Sequence, residues 1–315
     1  MEKRKLGNSG IEVAPLAFGG NVFGWTIDET TSFKILDAFT GAGFNLIDTA
    51  DVYSNWVPEN KGGESEKIIG QWLRRIGNRE KVIIATKVGG EMSPGKKGLS
   101  RAHIFKSVEE SLQRLQTDYI DLYQSHYDDP ATPMEETLEA YGQLIKEGKI
   151  RAIGASNFSP ARLQEALQLS AEKNYPRYES LQPEYNLYHR DGYEKELEPI
   201  CQENNIGVIS YFALASGFLT GKYRSDADLA KSKRGGGNKK YLNERGFRIL
   251  AALDTVAAQY QTDAASIALA WLIARPSITA PIASATNLDQ LTSLTKAANI
   301  ALDIEALETL NSAST

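Results

Sequence analysis

Four side chains that can give or take a proton stand at or just after the ends of short apolar runs. Asp48 ends one run and Tyr53 follows it, Lys87 ends the next run, and His126 ends a third. A carboxylate, a phenol, an ammonium and an imidazole are groups that enzymes use for general acid–base catalysis. Taken singly, each has an ordinary structural explanation as a turn cap, a packed aromatic ring, a solvated lysine or a hydrogen-bonded histidine. A fold that placed all four at one edge would make a candidate site for proton transfer.

The segments that carry these side chains alternate between two hydrophobic periods. Short runs rich in Val, Ile, Leu and Tyr are typical of buried strands, and each is followed by a longer stretch of helical period. Most runs begin about 30 residues apart, which is the length of a strand, a crossover helix and two short loops. The predicted strands are Leu16–Gly20, Phe44–Ala50, Val82–Val88, Ile120–His126, Arg151–Asn157, Ser180–Asn186, Gly207–Leu214 and Ile278–Ala285.

Several of the intervening stretches carry the start and stop signals of helices. Ser100 and Ser159 stand at N-cap positions, Pro133 at a first-turn position, and Gly148 after a C-terminus. The predicted helices are Glu64–Ile76, Arg101–Leu115, Met134–Lys146, a helix from Pro160 to near Lys173, Phe247–Tyr260 and Ala264–Arg275. The last two helices follow an insertion over Ala215–Arg245.

Eight β-α repeats predict either a closed (β/α)8 barrel or an open doubly wound α/β sheet. A dinucleotide-binding open sheet carries G-x-G-x-x-G directly after a strand, and the sequence contains no such motif. We therefore predict an α/β fold of the TIM-barrel type, formed by residues 1–315 as a single domain, with extra C-terminal helices. Two short strands over Lys5–Val13 predict an N-terminal β-hairpin that closes the bottom of the barrel. Function concentrates at the C-terminal ends of barrel strands, so the four side chains would share one rim.

Composition and charge argue against several classes of protein. Lys and Arg number 35 against 40 Asp and Glu, so the basic surface of a general nucleic-acid binder is missing. The longest wholly apolar run, Ile267–Ala274, is far shorter than the roughly 20 residues that span a bilayer. No secretory signal is legible at the N-terminus, and a single cysteine, Cys201, suits a reducing compartment. We expect a cytoplasmic protein with neither membrane insertion nor a nucleic-acid partner, and a monomer rather than an oligomer.

Two other kinds of chemistry find little support. Gly90–Lys96 fits the phosphate-loop pattern G-x-x-x-x-G-K, but Lys97 stands where that motif needs Ser or Thr. His103, His126 and His189 lie on different predicted elements, without the spacing of metal ligands. We therefore expect neither nucleoside triphosphate hydrolysis nor a metal site.

Six segments, in order along the chain, resemble the aldo-keto reductase superfamily. These segments are Gly43–Tyr53, Ala85–Lys87, Gln124–His126, Gly148–Phe158, Gln182–Asn186 and Gly217–Tyr223. Together they are specific to that superfamily, and the resemblance covers nearly the whole chain. The insertion and the last segment are more similar to the bacterial general reductases and the potassium-channel β-subunit branch than to the mammalian aldose reductases.

The resemblance implies a nicotinamide-dependent oxidoreductase that reduces aldehydes or ketones to alcohols, or catalyses the reverse reaction. Tyr53 would donate the proton to the developing alkoxide, and His126 would orient the substrate oxygen. An ammonium stabilises a phenolate, so Lys87 is expected to lower the pKa of Tyr53 from its ordinary value of about 10. Asp48 would pair with Lys87 and hold it in place. The alternative is a cofactor-binding regulatory subunit that docks on a membrane partner, since such subunits can keep all four residue types.

The same resemblance implies a binding site for NADP(H), with NAD(H) as the alternative. Ser156, Asn157 and Gln182 would hold the nicotinamide carboxamide, whose donors and acceptors suit these side chains. Tyr211 would stack on the nicotinamide ring, with core packing as the alternative. The loop over the pyrophosphate would include Leu214, Gly217, Leu219, Gly221 and Lys222.

The adenosine-phosphate end of that site departs from the family pattern. Ser284, Thr286 and Gln290 lie at the corresponding position, but the Lys or Arg often found there is absent, and Ser293-Leu294 replaces a Glu-Asn pair. A 2′-phosphate prefers a guanidinium or an ammonium, which argues against a strong preference for NADPH. The basic stretch Lys231–Lys240 could supply the missing cation, although its three consecutive glycines favour a mobile solvated loop.

Aromatic residues of the rim loops are candidates for the walls of a substrate pocket. Phe23 and Trp25 follow the first strand, Trp56 follows the second, and Tyr127 follows His126. Core packing is the alternative for each of them. If they form walls, medium-sized apolar or aromatic carbonyl compounds would be favoured over sugars.

Overall fold

The computed structural model of the chain describes residues 2–315, and a parallel β-barrel lies at its centre. An antiparallel hairpin of β1 (Arg4–Lys5) and β2 (Glu12–Val13) precedes the barrel. The barrel strands are β3 (Ala17–Gly19), β4 (Leu46–Asp48), β5 (Ile83–Val88), β6 (Ile120–Ser125), β7 (Ile150–Ser156), β8 (Tyr178–Gln182), β9 (Gly207–Val208) and β10 (Ile282–Ala283).

All neighbouring barrel strands run parallel, in the order β10-β3-β4-β5-β6-β7-β8-β9. The two ends of this sheet also meet, because the N–H of Ile282 donates to the carbonyl oxygen of Ser210 at 2.8 Å. The N–H of Thr279 donates to the carbonyl oxygen of Val208 at the same distance. These bonds close the sheet, and the prediction of a (β/α)8 barrel with an N-terminal hairpin is confirmed.

Helices flank the barrel between and after its strands. Their bounds are α1 (Glu29–Gly41), α2 (Glu64–Ile76), α3 (Arg101–Leu115), α4 (Met134–Lys146), α5 (Pro160–Lys173), α6 (Glu198–Glu203), α7 (Glu244–Gln259), α8 (Ala264–Ile273), α9 (Leu288–Lys296) and α10 (Ile304–Ser314). The predicted bounds of α2 to α5 are confirmed, and Ser100 and Ser159 accept the N–H groups of His103 and Arg162 as N-caps. Pro133 occupies the N-cap position of α4 and not its first turn.

Seven of the eight barrel strands are shorter than the sequence predicts, and the reduction is largest in β4, β9 and β10. The strand predicted over Ser180–Asn186 ends at Gln182, because Pro183 has no N–H to continue the ladder. The strand predicted over Gly207–Leu214 pairs only at its first two residues, and Phe212 then adopts a left-handed φ of 53° that an extended strand does not contain.

Alternation along the strands divides the barrel interior into an apolar and a polar layer. Leu46, Ala85 and Leu122 point inward and pack with hairpin residues in one buried cluster that includes Leu6 and Val13. The hairpin therefore closes the lower end of the barrel, as predicted. Successive residues of a strand point to opposite faces, so the next inward positions lie two residues further on. These positions carry polar side chains, namely Asp48, Lys87 and Gln124.

The apolar layer should carry a large share of the stability. Leu122 is fully buried in it, so Leu122→Ala should lower the free energy of unfolding by about 2–5 kcal/mol through lost contacts and a residual cavity. Ile304→Ala removes an exposed side chain and should change that energy by less than about 0.5 kcal/mol. Urea denaturation of both variants measures the difference, and equal losses would contradict this assignment of the core.

Candidate active site

Asp48, Lys87 and Tyr53 form a connected group at the C-terminal ends of β4 and β5. The Lys87 ammonium donates to Asp48 Oδ2 at 2.7 Å, to the Thr49 carbonyl oxygen at 2.8 Å and to the Tyr53 hydroxyl oxygen at 3.0 Å. All three hydrogens of the ammonium therefore have an acceptor. Asp48 and Lys87 are buried, while Tyr53 lies at the border of the solvent.

Two amides hold the other oxygen of the carboxylate. Gln124 and Gln182 donate to Asp48 Oδ1 at 3.2 and 2.8 Å, and Gln182 also donates to Gln124 Oε1 at 3.2 Å. Gln182 was expected to hold the nicotinamide. In the structure its amide nitrogen donates to Asp48. Gln124 has no role in the sequence analysis beyond its place in a motif. Its inward position, two residues after an apolar one, is the signal that could have identified it.

His126 completes the rim beside the phenol. Its ring centroid lies 6.1 Å from that of Tyr53, and its Nδ1 has no hydrogen-bond partner among the described residues. Burial, together with the positive charge of Lys87, lowers the pKa of His126 to about 3. The imidazole is therefore neutral near pH 7, with a proton on one nitrogen only.

The pKa of Tyr53 departs from its ordinary value in the direction opposite to the one expected. Burial and the negative charge of Asp48 raise the pKa of Tyr53 well above that value. Burial also lowers the pKa of Lys87, against the opposing effect of Asp48. The expectation of a lowered pKa for Tyr53 is wrong for this structure, because burial disfavours the phenolate and the nearby Asp48 carboxylate repels its charge.

The structure brings Ser156, Asn157, Gln182 and Tyr211 together beside this group. Ser156 Oγ donates to the Gln182 carbonyl oxygen at 2.9 Å, and the Asn157 amide donates to Ser156 Oγ at 3.2 Å. The Tyr211 hydroxyl donates to Asn157 Oδ1 at 2.9 Å. Asn157 follows β7 in a left-handed conformation (φ 56°), and its amide donates to the His126 carbonyl oxygen at 2.9 Å. The four residues thus form one polar patch with a partly exposed aromatic ring.

The loop after β9 has the backbone of a close-approach site. Ala215, Ser216 and Gly217 all have positive φ, at 47°, 56° and 93°. The φ of Gly217 favours glycine, and its backbone lies close to Lys222, since a Cβ there would be 3.2 Å from Lys222 Nζ. Leu219 differs from the other predicted residues of this loop because its side chain is buried in the core.

The insertion folds back over that loop as a series of 3₁₀ turns, and we call residues 225–243 the strap. Asn238 donates to the Ser216 carbonyl oxygen at 3.4 Å, and Tyr223 bonds Ser232 at 2.6 Å. Gly235 is buried, and a Cβ there would overlap the carbonyl group of Leu229. Gly235 therefore serves close packing, whereas Gly236 and Gly237 are exposed with open space around them, so the stretch is partly solvated, as expected, and is anchored at Gly235 and Asn238.

Arg234 is a site residue that the sequence analysis did not single out within its basic stretch. Its guanidinium lies 5.0 Å from the ring centroid of Trp25 and 3.2 Å from the side-chain oxygen of Asn21. The Asn21 amide in turn donates to Ser284 Oγ at 2.8 Å, and Ser284 donates to the Gly19 carbonyl oxygen at 2.7 Å. No carboxylate pairs with Arg234 among the described residues, so a half-buried cation lies close to Ser284, which the sequence analysis predicted to lie at the adenosine-phosphate end.

Thr286 and Gln290 lie beyond Ser284, at the start of α9. The N–H and hydroxyl of Thr286 both donate to Gln290 Oε1, at 2.9 and 3.0 Å. Asn287 caps α9 by accepting the N–H of Gln290. Thr286 and Gln290 are therefore hydrogen-bonded to each other, and neither is charged. Arg234 is the cation near this end of the site.

Aromatic rings surround the mouth above Tyr53. Trp56 lies 6.0 Å from the Tyr53 ring and 5.4 Å from the Trp25 ring, and Tyr127 stacks on His126 at 4.6 Å between ring centroids. Trp56 and Tyr127 are 46% and 50% exposed. The interpretation of Phe23 as a wall is wrong, because its ring is buried and stacks on Phe18 in the core. Phe212 is 45% exposed beside Tyr211 and was not predicted.

Comparison with known families assigns the chain. The profile of the aldo/keto reductase family matches residues 15–315. The chain belongs to the aldo/keto reductase family, and the resemblance inferred from its motifs is confirmed. Members of this family act on small molecules as oxidoreductases and generally use NAD(P)H.

Individual relatives cover nearly the full chain. The uncharacterized oxidoreductase YrpG of Bacillus subtilis (strain 168) is 36% identical over 99% of this chain and 95% of its own. The aldo-keto reductase YhdN of the same strain is 34% identical over 99% of this chain and 93% of its own. A probable voltage-gated potassium channel subunit beta of Arabidopsis thaliana is 34% identical, with 95% and 92% covered.

Among residues 2–315, no helix combines the length and the apolar character that a bilayer crossing needs. No group of three or more His, Cys, Asp or Glu side chains in the same range is arranged to hold a metal ion.

The lowered pKa of His126 predicts a pH dependence of stability. Between about pH 6.5 and pH 3 the unfolded chain binds a proton at His126 that the folded chain does not, so stability falls as the pH falls through this range. The contribution is about 2 kcal/mol at pH 5 relative to neutral pH. Urea denaturation at both pH values should show a smaller pH effect in His126→Gln than in the wild type, and parallel behaviour of the two proteins would contradict the pKa.

Proposed function

We propose that the protein is an NAD(P)H-dependent reductase of aldehydes and ketones, able to run in reverse, with Tyr53 as the proton donor. The observation that carries the proposal is the Tyr53 hydroxyl 3.0 Å from a buried ammonium that Asp48 holds in place. A bound dihydronicotinamide would supply the hydride. The residues of the chain bind and orient the reactants and move the proton.

The raised pKa of Tyr53 suits a donor to an alkoxide. The phenol stays protonated at neutral pH, and an alkoxide is a stronger base than a phenolate, so transfer from Tyr53 to the substrate oxygen runs downhill. Lys87 Nζ then lies within hydrogen-bond distance of the phenolate oxygen and stabilises its charge. The neutral imidazole of His126 orients the substrate oxygen beside the phenol.

The residues present fit a dinucleotide. Ser156, Asn157 and Tyr211 offer an amide, hydroxyls and a flat ring beside Tyr53, which suits the carboxamide and the ring of nicotinamide. Lys222 above the glycine backbone and Arg234 on the strap are cations without a carboxylate partner among the described residues, and they suit phosphate groups. We assign Lys222 to the diphosphate and Arg234 to the additional phosphate of NADP(H). Ser284 lies next to Arg234 in this arrangement.

The exposed aromatic side chains around the mouth favour aromatic or medium-sized apolar carbonyl compounds as substrates. The regulatory alternative rests on the resemblance to the potassium-channel β-subunit branch, to which a similar protein belongs by name. The assay below tests it, since a subunit that only binds nucleotide would show no turnover.

Tyr53→Phe should abolish most turnover. Loss of the proton donor should lower kcat by about 10²–10⁴-fold for 4-nitrobenzaldehyde with reduced nicotinamide, followed as loss of nicotinamide absorbance. Nucleotide affinity should stay within about twofold, because the phenol adds little binding energy to the cofactor. Tyr119→Phe is the matched control. It also removes a phenol hydroxyl, but Tyr119 directly precedes β6, at the end of that strand away from His126.

Undiminished turnover in Tyr53→Phe would contradict the assignment of the donor. Tight nucleotide binding by the wild type without turnover of any carbonyl compound would favour the regulatory alternative.

Arg234→Gln tests the phosphate assignment. Affinity for NADPH should fall about tenfold or more, since a charged hydrogen bond in a shielded site is lost, whereas affinity for NADH should fall less than threefold. Quenching of tryptophan fluorescence gives both dissociation constants, and Lys239→Gln, an exposed position on the strap, is the control. An equal loss for both nucleotides would place Arg234 on the diphosphate instead.

A further inference from the structure

A cavity lies near the catalytic group, and none of the residues of that group lines it. It has a volume of about 340 Å³ and lies between the loop after β4, the loop after β5 and α3. This volume is within the usual range for sites that bind small molecules. The residues assigned above to the nucleotide and the carbonyl substrate do not line it.

The walls of this cavity are strongly cationic. Lys61, Lys96, Lys106 and Arg114 line it, together with the two acids Asp51 and Glu110. Glu110 lies 3.9 Å from both Lys106 and Arg114, beyond hydrogen-bond distance. Lys61 and Lys96 form no ion pair with any residue of the range 2–315. Arg114 is paired with Glu66 at 2.6 Å, so Lys61 and Lys96 carry the positive charge that the described residues do not neutralise. Such charge is a physical signature of an anion site, and it contrasts with the acidic balance of the whole chain.

A buried acid provides an independent signal in the same cavity. Asp51 is 2% exposed and lines the cavity, and its Oδ2 has no hydrogen-bond partner among the described residues. Its other oxygen accepts the N–H of Val52 at 2.7 Å. Burial and the neighbouring Glu66 carboxylate raise the pKa of Asp51 well above its ordinary value, which favours the protonated carboxyl group. An unpaired polar atom at this depth is costly, and a ligand that forms a hydrogen bond with it removes that cost.

The backbone keeps this space open. Gly62 and Gly63 both have positive φ, and a Cβ at Gly63 would overlap the side chain of Arg114. Arg114 is in turn fixed by Glu66, whose carboxylate accepts from its Nε at 2.6 Å. The guanidinium is therefore oriented before any ligand arrives, which lowers the entropic cost of binding.

We propose that this cavity binds a compact anion with at least two negative charges, of the phosphate-ester or polycarboxylate type. Such a ligand accepts hydrogen bonds from the Asp51 carboxyl group and from Arg114, while its charge pairs with Lys61 and Lys96. The site is separate from the nucleotide site, so its occupancy is measured without turnover and does not depend on the proposed reaction.

Isothermal titration calorimetry at constant ionic strength tests the proposal. The protein is first saturated with NADP⁺, which fills the other anion site, and is then titrated with citrate, with inorganic phosphate and with acetate as the monovalent control. Citrate or phosphate should bind, the tighter of the two identifying the ligand class, and acetate should bind at least about tenfold more weakly. If NADP⁺ does not bind, the proposed function fails, and the same titration of the free protein still tests the cavity.

Charge reversal locates the binding. The double variant Lys61→Glu/Lys96→Glu should weaken the anion at least about tenfold, because two attractive contacts become repulsive. Lys34→Glu, at an exposed unpaired position on α1, carries the same kind of change outside the cavity and should alter affinity by less than about twofold. Absence of binding to the wild type, or equal effects of the two charge reversals, would overturn the proposal.

Discussion

The buried ion pair between Lys87 and Asp48 is the interaction on which the rest of the site depends. Each charge loses its water on burial, at a cost of several kcal/mol that is recovered only when its other hydrogen-bonding atoms are satisfied. The ammonium uses all its hydrogens, and both carboxylate oxygens are bonded by side chains from β5, β6 and β8. The inner polar layer is therefore a unit, and the position of Tyr53 follows from it.

The electrostatics of this unit hold the proton on the phenol until a stronger base arrives. Asp48 and burial oppose ionisation of Tyr53, while Lys87 is already placed to stabilise the phenolate after transfer. Burial, assisted by the same ammonium, keeps His126 neutral. One buried cation thus contributes to the protonation state of one neighbour and is placed to stabilise the product form of the other, with no rearrangement of charge before the reaction.

Cations are concentrated at two places in a chain of net negative charge. The strap brings Arg234 to Asn21, which bonds Ser284, and in the proposed function it supplies the cation that the sequence lacks before α9. The loops after β4 and β5 bring lysines to the cavity between these two loops and α3. Both arrangements join segments that are distant in sequence. The net charge of the chain therefore does not indicate where either group of cations lies.

Local pattern determined much of this protein from the sequence alone. Hydrophobic period and capping residues depend on neighbours a few positions away, so the eight strands and the bounds of α2 to α5 were predictable. The positions of Asp48, Lys87 and His126 at strand ends followed from the same patterns. The ends of β8 and β9 could not be predicted in this way. Strand pairing stops where the partner strand no longer offers backbone hydrogen bonds, and the partner is distant in sequence.

Only the tertiary structure decided the features that depend on what surrounds a side chain. The direction of the Tyr53 pKa shift, the burial of Phe23, the role of Gln124 and the approach of Arg234 to Ser284 all arise from contacts between residues far apart in the chain. Burial and charge act through distance in space and not through distance along the sequence. The sequence determined which chemical groups reach the rim, and folding decided their protonation and their partners.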